Sequence, residues 1–160
     1  MKSLLKYLSP FAPDLAGAVS VFFELDGVIV ICDAGGCTGN ICRFDEPRWF
    51  TRKSALFSAG LRDMDAIMGR DRPLADKLIA AAKTSSGNFL AMIGSPVPAV
   101  IATDFGALKR MCRKELDMPV IVHERDAHND GMNIIRKFPK VKGVFHCYSG
   151  SAEMARQLTN

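Results

Sequence analysis

The sequence predicts a three-layer, doubly wound α/β sandwich of five mostly parallel strands, forming one domain over residues 1–160. Three observations carry this. Short β-branched runs such as Val28 to Cys32 contain no polar residue, the pattern of a strand covered on both faces. Segments with helical apolar spacing separate these runs, which gives parallel strands joined by right-handed crossovers. The length of 160 residues, 48% hydrophobic and 24% charged, suits one core and excludes disorder. Such a domain buries roughly 70% of its unfolded surface, so it needs neither disulfides nor a metal to fold.

Turn residues and apolar spacing set the elements in order. After a short N-terminal helix, Pro13 to Leu25 reads as a helix with Asp14 in its first turn, stopped by Gly27. Val28 to Cys32 is the first strand. Asp33 to Lys53 holds three glycines and a proline and reads as a long loop without an element of its own. Ala55 to Ser58 is a second strand, followed by helical stretches over Leu61 to Met68 and Leu74 to Lys83. Ser85, Ser86 and Gly87 turn the chain into a third strand, Phe89 to Ile93. Gly94 follows, then Ser95 at a helix N-cap position with Pro96 in the first turn, opening a helix or a broken pair of helices that runs to about Leu116. Pro119 to Val122 is a strand, Ala127 to Lys137 a helix, Gly143 to Cys147 a fifth strand, and Ser151 to Leu158 a closing helix.

Charge and cysteine usage exclude several classes. The net charge of +4 comes from 21 basic and 17 acidic residues that read as mixed along the chain without a Lys/Arg run, so composition makes no case for nucleic acid. The longest apolar run, Gly17 to Ile31, is interrupted by Glu24 and Asp26, which argues against a membrane span of about 20 residues. Met1 to Leu8 carries no small-residue cleavage site, and the five cysteines lack paired C-x-x-C spacing. The expectation is a cytoplasmic protein with reduced thiols, monomeric or homodimeric.

Two sets of motifs then point in different directions. From Ser9 to roughly Leu116, the stretches SPFAPDLAGAVSVFFELDG, DAGGCTGN, DEPRWF, LFSAGLRDMDAIMG and MIGSPVPAVIATDF resemble the first flavodoxin-like domain of nitrogenase component 1 type oxidoreductases. From about Met118 to Asn160, MPVIVHERDAHNDGMNIIRKFP and GVFHCYSGSAEMARQL resemble an internal βαβα piece of the TatD family of metal-dependent deoxyribonucleases, whose fold is a TIM barrel. The seam falls between residues 117 and 118. Four of the five cysteines precede it, and all three histidines follow it.

Each resemblance implies part of a site. His123 and His146 close predicted consecutive strands, and two imidazoles on paired strands could share one divalent cation. The TatD resemblance implies that both are metal ligands. The family's H-x-H pair has no counterpart, because no histidine precedes His123. Its remaining acidic ligands are expected to fall outside the matched piece. His128 is read as the first turn of a helix. On the nitrogenase side, Cys37 in GGCTGN matches a cysteine that helps hold an iron–sulfur cluster, but a cubane needs four thiolates as a rule. Gly94 and Ser95 open a helix and could bind an anion there, although Pro96 and Pro98 remove two donors. The two resemblances together imply an engineered chimera with no complete active site, no designed activity and no cofactor beyond an adventitious divalent metal. A natural gene fusion or a misassigned reading frame would leave the same pattern. The alternatives in function are a metal-dependent nuclease or phosphoesterase fragment using His123 and His146, and an iron–sulfur redox domain that depends on a partner chain.

Overall fold

The computed structural model of the chain describes residues 13–42, 51–69, 71–123, 128–138 and 151–159. The chain divides into two compact units, Met1–Glu124 and Arg125–Asn160. The first contains α1 (Pro13–Glu24), β1 (Val28–Cys32), α2 (Gly36–Cys42), β2 (Ala55–Ser58), α3 (Asp63–Met68), α4 (Asp71–Thr84), β3 (Leu90–Gly94), α5 (Pro96–Val100), α6 (Phe105–Glu115) and β4 (Val120–His123). The second contains α7 (His128–Ile135) and α8 (Ala152–Thr159).

The strands form a parallel sheet in the order β2-β1-β3-β4, flanked by helices as the doubly wound class requires. Four of the five expected strands are present. The fifth, Gly143 to Cys147, lies outside the described residues. β1 is buried along its whole length and its side chains alternate between two cores. Val28, Val30 and Cys32 pack with α4 and α6 through Leu74, Leu78, Leu108 and Cys112. Ile29 and Ile31 pack on the other face with Leu15, Val19 and Phe23 of α1 and Ile41 of α2. Helices on both faces explain why the strand is apolar at every position.

Three details depart from the sequence reading. The segment read as a loop from Asp33 to Lys53 contains α2, a helix with two glycines that intrinsic preference alone would not form. Tertiary bonds supply the difference: the Asp33 carboxylate accepts from the Thr38 backbone N–H at 2.8 Å, and the Gly39 N–H closes a turn onto the Gly35 carbonyl. Buried Thr38 and Ile41 anchor the helix to the sheet. The helix expected from Leu61 starts at Asp63, because Asp65 Oδ2 accepts from the Arg62 N–H at 2.8 Å and fixes the first turn there. Asp26, rather than Gly27, takes the left-handed position that ends α1, with φ 57°, while the Gly27 N–H bonds the Phe22 carbonyl. Glycine at position 27 serves a different need. A β-carbon there would sit 2.6 Å from the Phe89 ring.

The break between α5 and α6 follows the expected pair of helices. Ser95 caps α5 by accepting from the Val97 N–H, Asp104 caps α6 by accepting from the Ala107 N–H at 2.8 Å, and Ala102 takes a left-handed φ of 54° between them.

Candidate functional site

In an open parallel sheet, ligands settle where the chain reverses its direction of travel across the strands. Here the first crossover runs from β1 to β2, and the next returns past β1 to β3. The crevice between the carboxyl ends of β1 and β3 is therefore the site the topology offers. Asp33 and the loop Ala34–Gly35 lie on one side, Gly94 and Ser95 on the other.

Asp33 dominates this edge. Its side chain is 1% exposed, and three donors satisfy it: the Thr38 N–H, the Thr38 hydroxyl at 3.0 Å and the Ser58 hydroxyl at 2.6 Å. Ser58 Oγ also accepts from the Gly60 N–H at 3.1 Å. The Ser95 hydroxyl donates to the Cys32 carbonyl at 2.8 Å, tying β3 to the end of β1. These residues hold the β1–α2 connection and the neighbouring strand ends in place. The sequence reading missed Asp33, Thr38 and Ser58. The one available signal was an acid directly after a continuous apolar strand, where only a paired carboxylate can be buried.

The expected site residues occupy different parts of the fold. His123 ends β4, half-buried and level with Ile93 of β3. Its carbonyl would lie 3.3 Å from a β-carbon on Gly94, so glycine lets β3 and β4 close up at this end. His146 lies outside the described residues, and His128 is the first residue of α7. Among the described residues, no three His, Cys, Asp or Glu side chains come together in a way that could hold a cation. A hydrolytic metal needs about three protein ligands and an open position. Among the described residues, His123 stands at the end of β4, one strand removed from β1, and the Asp33 carboxylate that follows β1 is already held by Thr38 and Ser58.

The described thiols do not gather around Cys37. Cys37 stands on α2 rather than in a loop and packs partly against the α1 face, while Cys32 and Cys112 belong to the core on the opposite face. Cys42 is exposed at the end of α2. Ser95 uses its hydroxyl within the fold, and α5, which it caps, has five residues.

Burial sets the chemistry of the two core thiols. Loss of hydration, reinforced by the neighbouring Asp33 and Cys112, pushes Cys32 up to about 12 from an ordinary 9.0. Burial and the nearby Glu115 push Cys112 up to about 11. Both folded-state values are raised, so their contribution to stability is complete below about pH 9 and is lost as pH rises through 11 to 12. Iodoacetamide at pH 8 is expected to modify Cys42 in the native protein and to leave Cys32 and Cys112 intact until denaturant is added, as read by peptide mass spectrometry. Native modification of Cys32 at the Cys42 rate would contradict this.

Comparison with known proteins places two likenesses side by side. The family model for TatD related DNase matches residues 107–160. Over 46 residues the chain is 44% identical to the uncharacterized metal-dependent hydrolase YabD of Bacillus subtilis (strain 168), which is 28% of this chain and 18% of that protein. Among solved structures, nitrogenase Cp1 at pH 6.5 superposes with a TM-score of 0.55 at 20% identity, covering 71% of this chain and 24% of that one. The chain thus spans less than a quarter of the length of either relative. Both parts of the resemblance seen in the sequence hold, one in sequence and one in fold. No helix among the described residues is long and apolar enough to cross a membrane.

Proposed function

We propose that this chain is an engineered chimera, in which a TatD-like stretch extends a nitrogenase-component-1-like sheet, and that it is a folding scaffold without a complete catalytic centre. One strand pairing carries the reading. β4 lies inside the stretch matched to TatD related DNase and β3 lies outside it, yet the two align in parallel from Leu90 opposite Val120 to Ile93 opposite His123. A strand of the TatD-matched stretch thus extends the sheet of the preceding segment without a bulge or a register break, which supports the reading. The sequence supports the absence of chemistry from the same side: all three histidines stand at position 123 or later, so the metal-binding H-x-H pair has no counterpart.

A second reading, a metal-dependent phosphoesterase fragment, is favoured by the position of His123 at the carboxyl end of a parallel strand, where α/β enzymes place their ligands. One experiment separates the two. Purified protein incubated with plasmid DNA and magnesium, manganese or zinc is expected to cleave no faster than buffer, and its thermal transition is expected not to move with chelator. Metal-dependent cleavage that disappears in His123→Ala would establish the second reading and overturn the first.

A further inference from the structure

The mixed charge of the sequence becomes uneven once the chain is folded. α6 carries four basic residues in the six positions 109–114, namely Lys109, Arg110, Arg113 and Lys114. The helix buries Phe105, Leu108 and Cys112 against the sheet, which turns the basic positions outward. The acids nearby are engaged elsewhere. Asp104 caps the helix and stands 3.7 Å from Arg110, and Glu115 pairs with Arg72 at 2.8 Å. Among the described residues, Lys109, Arg113 and Lys114 have no acidic partner within ion-pair distance.

A groove of about 610 Å³ runs between this half of α6 and the start of β4. Lys109 and Arg113 form its helical side, Leu116 and Val120 its buried floor, and Met118, Pro119 and the exposed Asp117 complete it. Lys109 and Arg113, two cations against the one acid Asp117, stand beside an apolar floor and call for a ligand that is acidic on one face and apolar on the next.

We propose that this groove, which lies across the junction of the two likenesses, binds an acidic amphipathic helix supplied by a second protein. Lys109 and Arg113 are one turn apart, a rise of about 6 Å, which is the spacing of Glu residues at i and i+4 on a partner helix. Leu residues at i+1 and i+5 of that helix lie about 100° round its axis and meet the floor formed by Leu116, Met118 and Val120. Nucleic acid fits the groove less well. No aromatic side chain lines it to stack a base.

The test uses the full chain and a fluorescein-labelled helical peptide bearing that Glu and Leu pattern, with binding read by fluorescence anisotropy. K109E/R113E is expected to weaken binding by at least tenfold. R110E/K114E, which changes net charge equally but alters side chains that do not line the groove, should weaken it less than threefold. Replacing the Leu residues of the peptide by Ser should cost about tenfold, which pure charge attraction would not. Thermal melts of both variants check that the fold is retained, and K109A/R113A repeats the measurement if K109E/R113E melts early. Equal losses in the two charge-reversal variants, indifference to the Leu replacements, or tighter binding of duplex DNA through Lys109 and Arg113 would each overturn the proposal.

Discussion

Asp33→Ala is expected to lower the unfolding free energy by about 2–4 kcal/mol and to release α2 from the sheet. The carboxylate is buried and accepts from two hydroxyls and a backbone N–H. Hydrogen bonds to a charged group are worth about 1.5–3 kcal/mol each, and the alanine leaves the Thr38 N–H without its acceptor in the first turn of a helix. Glycine at two of the seven positions of α2 gives that helix little propensity to fall back on. Urea denaturation would measure the loss, and faster alkylation of Cys37 would report the loosened helix. Asp33→Asn separates charge from shape: one oxygen still accepts, while the amide nitrogen faces donors, so an intermediate loss is expected. A change below about 0.5 kcal/mol in Asp33→Ala would remove the carboxylate from any account of the fold.

Gly87→Ala is expected to cost about 3 kcal/mol, at the upper end of what one added methyl group does in a packed site. The new carbon would sit 2.6 Å from Val28 Cγ2, 2.9 Å from the Val28 nitrogen and 3.1 Å from the Asp26 carbonyl. The backbone atoms cannot withdraw freely. The Val28 N–H donates to the Phe89 carbonyl at 2.8 Å, and the Asp26 carbonyl accepts from the Asn88 N–H at 2.8 Å. Gly39→Ala is the matched control. It meets nothing within 4 Å, lies within α2, and should gain about 0.5–1 kcal/mol through helix propensity. If both alanines changed the midpoint equally, the close approach at Gly87 would not be the cause.

What the sequence made legible divides along the range of the forces involved. β1 could be read from VIVIC because burial on both faces is written into every residue of the strand. The start of the helix after β3 could be read because Ser95 and Pro96 act within two residues of themselves. α2 could not, because what stabilises it includes the acceptor of Asp33 and the buried contacts of Thr38 and Ile41 with the sheet. The left-handed residue after α1 is Asp26, and the absent side chain of Gly27 makes room for Phe89, a residue 62 positions away. For the candidate site, the place of His123 at a strand end was legible from VIVHE. The link between Asp33 and Ser58 was not, since 25 residues separate them and only strand pairing brings them together. The clustering of basic residues on α6 was in the sequence throughout. It became a surface only when Asp104 and Glu115 were seen to be occupied.

β1 raises a question that its own side chains do not answer. Most strands keep their frame because a slip by one residue would turn apolar groups toward water. In β1 that safeguard is absent: Val28, Val30 and Cys32 could trade faces with Ile29 and Ile31 and every one would still be buried. The frame is therefore pinned at the tips. At the amino end, Gly87 makes room only for a Val28 that sits where it does, and at the carboxyl end the Asp33 carboxylate reaches Thr38 and Ser58 only from its present level. The strand works as a ruler marked at its two ends and blank along its length. Asp33→Ala and Gly87→Ala erase one mark each, and because a shifted frame then becomes an available alternative, the double variant should lose less than the sum of the single losses.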